Sequence, residues 1–147
     1  MFKRIVVGTD GSETAAEAVR QAVELAKMTG ATLSLVSAYQ PASGRRVQAE
    51  QAEAPADVQY EIGPREDVNL ILDGAAADAK QQGIEVQTHP VEADPADAIL
   101  NVAEETKADL IVVGNKGMTG ARRYLLGSVP NNVSHHAPCS VMIVRTT

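Results

Sequence analysis

The chain reads as an α/β protein: one open parallel sheet with helices on both faces. Three observations predict this. Short apolar runs alternate with amphipathic helical stretches along the whole sequence. The strand candidates, above all Ile5-Val6-Val7 and Leu110-Ile111-Val112-Val113, are apolar at consecutive positions, as in strands buried on both faces. Most helical stretches are bounded by residues suited to capping. At 147 residues the chain suits a single domain over 1–147, burying roughly 68–70% of the surface its unfolded form exposes.

Taken in order, Ile5–Val7 is closed by Gly8-Thr9-Asp10-Gly11-Ser12. Ser12 suits an N-cap, its hydroxyl accepting an amide of the first turn. Ala15, Val19, Ala22, Val23 and Ala26 recur at helical spacing, and Gly30 ends that helix. Leu33 to Ala38 reads as a second strand. Residues 40–63 show no sustained period and read as a flexible excursion. Val68, Ile71, Leu72, Ala75, Ala76 and Ala79 form one stripe of a second helix, ended by Gly83. Ile84, Val86, Thr88 and Val91 alternate as a third strand. Asp94-Pro95 predicts a sharp helix start with Asp94 as N-cap, and Ile99, Val102 and Ala103 are its buried stripe. Leu110–Val113 is the fourth strand. A glycine-punctuated loop runs from Gly114 to Gly127, Ser128 caps a short last helix, and Val141–Val144 is the fifth strand. No internal repeat is present.

Composition removes several function classes. Aromatics are 3% with no Trp, so stacking platforms for single-stranded nucleic acid are excluded. A formal charge of −6 argues against binding nucleic acid or an anionic membrane surface. Cys139 is the single cysteine, which rules out an internal disulfide and argues against a zinc cluster. No apolar run approaches the roughly 18 residues of a membrane span. The polar start at Lys3-Arg4 does not suit a signal peptide. These features predict a cytoplasmic protein.

In open parallel sheets, ligands bind beyond the carboxyl ends of the strands where strand order reverses. The segment after strand four carries the strongest signal: Gly114-Asn115-Lys116-Gly117-Met118-Thr119-Gly120, leading to Gly127-Ser128 at a helix start. Glycines let backbone approach a ligand closely. Helix-start amides and the helix dipole favour an anion, and Lys116, Arg122 and Arg123 add positive charge. The combination suits a phosphate cradle. The plainer alternative, that the glycines merely permit turns, is as well supported by the residues alone. The Walker A spacing is absent, and strand one does not lead into Gly-x-Gly-x-x-Gly, which argues against a dinucleotide site.

Gly114-x2-Gly117-x9-Gly127-Ser128 resembles, without gaps, the nucleotide-binding signature of the universal stress protein family. The N-terminal Ile-Val-Val-Gly-Thr-Asp10-Gly-Ser-Glu and the C-terminal His136-Ala-Pro-Cys-Ser-Val-Met-Ile-Val resemble it too. The resemblance covers essentially the whole chain and implies a five-stranded sheet of order 3-2-1-4-5, of the adenine nucleotide α-hydrolase-like kind. Asp10 then lies beside the 114–128 loop. It implies a nucleotide site formed by Thr9, Asp10, Ala38, Gly114, Lys116, Gly117, Gly120, Arg122, Gly127, Ser128 and Val129. Asp10 and the backbone around Ala38 would face the nucleoside, Gly114 the ribose, and Gly117, Gly127, Ser128 and Val129 the phosphates. ATP is the generic ligand implied, with Mg2+ conceivable at Asp10. A narrower resemblance, in Ser37-Ala38-Tyr39-Gln40-Pro41, Val113-Gly114-Asn115 and Leu126-Gly-Ser-Val-Pro-Asn-Asn-Val-Ser134, points to a branch that binds cyclic AMP (cAMP). The basic residues suit a triphosphate better than a cyclic phosphate, so ATP stands first and cAMP second.

Other residues carry plainer readings. Asp10 suits a turn cap as well as a ligand contact. His135 and His136 fit a helix C-terminus, His89 a strand or loop, and Cys139 a small apolar site. Tyr39 suits either a stacking partner for a base or a surface position. A fifth strand as apolar as Val141–Val144 at a sheet edge predicts a homodimer through that strand, an arrangement the family commonly shows. The leading function is an adenine-nucleotide-binding protein of stress response or signalling. The alternatives are a slow ATPase, for which Asp10 is the only apparent base, and a structural dimer that binds nothing.

Overall fold

A computed structural model describes residues 1–40, 64–115 and 127–146. The excursion expected at 40–63 lies outside the described residues apart from Gln40. The elements are β1 (Arg4–Gly8), α1 (Glu13–Thr29), β2 (Thr32–Tyr39), α2 (Pro64–Gln81), β3 (Val86–Glu92), α3 (Pro95–Thr106), β4 (Leu110–Gly114), α4 (Ser128–His136) and β5 (Ser140–Val144). The five strands form one parallel sheet in the order β3-β2-β1-β4-β5, as the resemblance implied.

Side-chain parity explains the two-sided core. Successive strand residues point to opposite faces. Ile5, Val7, Leu33, Leu35, Leu110 and Val112 accordingly join α1 and α2 in one cluster. Val6, Val36, Ile111 and Val113 join α3 and Val133 of α4 in the other. The central strands are therefore apolar on both faces, which is why they read as continuous hydrophobic runs.

Helix ends follow capping chemistry with one correction, at α4. Ser12 Oγ accepts the Ala15 amide at 3.1 Å. Gly30 takes the left-handed conformation at φ 74° and donates to the Ala26 carbonyl. Asp94, however, occupies the N-cap of α3 without bonding a helix amide. Its Oδ1 instead lies 3.4 Å from Gln40 Nε2, across from the end of β2. In α4 the N-cap is Gly127, and Ser128 is the first helical residue. Glycine is an acceptable N-cap, and the Gly127 amide is tied to the Asn115 carbonyl by a hydrogen bond it donates at 3.0 Å.

The third strand begins at Val86; Ile84 is buried but precedes it. Beneath the sheet, Asp109 joins the starts of β1 and β4, its carboxylate accepting the amides of Lys3 at 2.8 Å and Arg4 at 3.1 Å. Burial pushes this carboxyl's pKa upward, but the amides outweigh it and hold the group below the usual carboxylate range. On the solvent side of α2, a methyl group at Gly74 would meet nothing within 4 Å.

Candidate functional site

The chain leaves β1 toward β2 on one side, while β4 lies on the other. The order therefore reverses at β1, and a crevice opens beyond its carboxyl end. The last ladder bond between β1 and β2 runs from the Thr9 amide to the Val36 carbonyl at 2.9 Å. The Thr32 amide reaches Lys3 of the β1 side, whereas the Leu33 amide reaches the Glu85 carbonyl on the β3 side. Even-numbered residues of β2 thus direct their backbone groups toward β1. By this alternation Ala38 presents one N–H and one C=O to the β1 side, beyond Gly8 where β1 has ended.

The turn after β1 is internally braced. The Gly11 amide donates to Thr9 Oγ1 at 3.2 Å, and the Ser12 amide to Asp10 Oδ1 at 2.9 Å. Gly11 sits at φ 82°, where a Cβ would lie 3.0 Å from Ile71 Cγ1 of α2, so the turn is seated against that helix. Asp10 is exposed. One of its oxygens caps the turn, and the other has no partner among the described residues. Tyr39, half-buried against the core, accepts a hydrogen bond from Arg65 Nη1 at 3.2 Å.

On the far side, Gly114 pairs with Val144 and ends β4. Asn115 follows. Its amide donates to the Val144 carbonyl at 2.9 Å, and its own carbonyl accepts the Gly127 amide at 3.0 Å. The chain therefore leaves at Asn115 and returns at Gly127 to the same point. The Gly127 amide is engaged in that closure. The Asn131 amide makes the first helical bond, to the Gly127 carbonyl at 3.1 Å, and Pro130 has no amide hydrogen. The first-turn donors directed out of α4 are therefore the amides of Ser128 and Val129, at the positive end of the helix dipole.

The topology thus brings Thr9, Asp10, Ala38 and Gly114 to the carboxyl end of the sheet, with Gly127 hydrogen-bonded to Asn115 at the end of β4 and Ser128 and Val129 following it in the chain. Lys116, Gly117, Gly120, Arg122 and Arg123 lie outside the described residues. Chemically, the arrangement offers a donor–acceptor backbone pair at β2 and anion-seeking amides at α4. For a magnesium ion it supplies one carboxylate, Asp10, already half engaged. Among the described residues no group of three His, Cys, Asp or Glu side chains could hold a metal, so the protein groups in view do not themselves make a metal site.

Asn115 was not singled out by sequence reasoning as a site residue. Its Oδ1 accepts both the Thr146 amide at 2.9 Å and Thr146 Oγ1 at 2.8 Å. The signal available was its position directly after the strand-ending glycine. None of the histidines lies in the turn after β1 or in the first turn of α4. His135 and His136 end α4, and His89 lies in β3 with a buried, unpartnered Nε2. Burial lowers the His89 pKa, with Glu105 pulling the other way, and burial raises that of the Cys139 thiol. Among the described residues no helix is long and apolar enough to cross a membrane.

Comparison with known proteins adds four findings. The profile of the Universal stress protein family matches residues 1–145. The universal stress protein Rv1636 of Mycobacterium tuberculosis is 40% identical over 147 residues, covering 99% of this chain and 98% of that one. Among solved structures, a universal stress protein in complex with cAMP is 37% identical, with a TM-score of 0.74 and 99% of each chain covered. A universal stress protein from Archaeoglobus fulgidus in complex with dAMP is 25% identical, with a TM-score of 0.65 and 96% of each chain covered.

Proposed function

The chain belongs to the universal stress protein family, and on that premise we propose that it is an adenine-nucleotide-binding protein whose ligand lies across the crevice from Ala38 to the first turn of α4. The observation that carries this reading is the pairing of unlike groups at its two ends. A base edge needs adjacent donor and acceptor groups, which the backbone of Ala38 offers past the end of β1. A phosphate needs unpaired amides at a helix start, and among the described residues the amides of Ser128 and Val129 have no partner. Asp10, between them on the β1 turn, is suited to a ribose hydroxyl through its remaining oxygen. In this reading Gly127 acts as N-cap and hinge point rather than as a phosphate donor, because its amide is already engaged.

Between the two ligands the balance moves to cAMP. The relative solved with cAMP matches this chain end to end at 37% identity, against 25% for the dAMP complex. ATP is the second reading, favoured by the positive charge of Lys116, Arg122 and Arg123. Nothing in the described site positions a general base against a phosphate, so binding rather than turnover is the proposed activity.

Calorimetry with cAMP, ATP and ADP tests the reading. We expect cAMP to bind most tightly. Ser128→Pro deletes one donor at the first helical position, where proline is tolerated, and should weaken nucleotide about 10-fold without altering thermal unfolding. Unchanged affinity would remove the α4 amides from the site. Steady phosphate release from ATP that disappears in Asp10→Ala would establish the enzyme reading instead.

We propose further that the protein is a homodimer joined through β5. That strand lies at the sheet edge, and Ile143 exposes 39% of its surface there.

A further inference from the structure

Asn115 is held at its amide, its carbonyl and its side-chain oxygen. Its amide is fixed on Val144, and its side-chain oxygen takes two hydrogen bonds from Thr146, at 2.9 and 2.8 Å. These three contacts leave its carbonyl directed at the Gly127 amide, 3.0 Å away. Gly127 is the residue from which α4 starts. A continuous chain of short hydrogen bonds therefore runs from the segment beyond β5, through Asn115, to the N-cap of the helix whose first amides face the crevice.

We infer that Asn115 and Thr146 are positioning residues for the phosphate-binding amides, so that the chain beyond β5 sets nucleotide affinity without touching the nucleotide. The inference rests on the site proposed above. The physical reason is directional. Amides favour an oxyanion only when preset at hydrogen-bonding distance and angle. The N-cap determines where the first turn points, and its amide is bonded to the carbonyl of Asn115, whose side chain is held by Thr146. Releasing Thr146 frees the Asn115 side chain and lets its carbonyl rotate. Gly127 then loses a fixed acceptor, and the Ser128 and Val129 amides lose their common aim. The contact to the base end, at Ala38 of β2, is unaffected.

The test exploits that asymmetry by comparing cAMP with adenosine, which lacks the phosphate. Thr146→Val keeps the shape and the backbone bond and removes the hydroxyl bond; Asn115→Ala removes the acceptor of both. We expect Thr146→Val to weaken cAMP about 5-fold and Asn115→Ala about 10-fold or more, each with less than 2-fold change for adenosine. Thr146→Ser should restore cAMP affinity. The double variant should be no weaker than Asn115→Ala alone, because both act through one path. Equal loss for adenosine and cAMP, or no loss in either variant, would overturn the inference while leaving the site intact. Failure of the unaltered protein to bind cAMP, ATP or adenosine would remove the site itself, and the inference with it.

Discussion

The two edges of the sheet are built differently, and the difference shows what an exposed edge requires. β3, at one end, has Pro90 in its middle and Glu92 at its close. The Glu85 carbonyl, just before the strand, accepts from Leu33 of β2, so odd positions face the ladder and Pro90 faces outward. Proline there removes an outward amide at no cost to the ladder, a standard way of blunting an edge. β5, at the other end, reads Ser-Val-Met-Ile-Val without proline or charge. The Val144 carbonyl accepts from Asn115 of β4, so Val141 and Ile143 direct their backbone outward. One edge is closed to pairing by its chemistry, and the other is left competent for it.

The largest expected effect comes from giving β5 the feature that β3 has. Ile143→Pro removes an outward amide and leaves the β4 ladder in place. It should weaken dimerisation on the order of 100-fold or more and yield a folded monomer by sedimentation. A dimer that survives would place the interface elsewhere. The converse, Pro90→Val, restores an amide to β3 and should produce modest, concentration-dependent self-association beyond the dimer. Its absence would mean that strand length and the flanking glutamates suffice to protect that edge.

The edges should also differ in their response to acid. Partial burial lowers the pKa of His89 in β3, against the pull of Glu105. Unfolding returns it to water, where it binds a proton more readily. Stability is therefore intact above the ordinary histidine pKa of about 6.5 and falls as pH drops through it toward the lower folded value. Urea unfolding between pH 7.5 and 5.5 should show this slope, and His89→Leu should flatten it. A persisting slope would assign the effect to another group. The smallest effect is at the β5 side. The Cys139 thiol, pushed up by burial, should react with a thiol reagent at neutral pH severalfold more slowly than free cysteine. Reaction at the free rate would mean that the approach to β5 is more open than its packing indicates.

Legibility followed the range of the interactions. The helical stripes, the Ser12 cap and the glycines after α1 and α2 depend on residues a few positions apart, and periodicity alone located them. Strand order is not a local property, and it became readable only through the glycine spacing shared with a family. The N-cap of α4 was assigned one residue late because Ser128 is the better cap in isolation, whereas Asn115, distant in sequence, anchors Gly127. Asp94 is the N-cap that its sequence position predicts, but its carboxylate is turned toward Gln40 of a neighbouring segment instead of a helix amide. At the candidate site, the glycines and Asp10 were visible as types that permit close approach or carry charge. Ala38, proposed as a site residue for its backbone alone, was available only through resemblance. Asn115 is bonded to Thr146, and no pattern within either segment links the two.

Gly74 has a consequence for engineering. It occupies the exposed side of α2, the helix that braces the turn carrying Asp10, and a methyl group there would find open space. Replacement by alanine narrows the freedom of the denatured chain and should raise stability by about 0.5–1 kcal/mol. The fold thus keeps a reserve of rigidity on its outer surface, open to thermostabilising design at a position whose side chain would point to solvent.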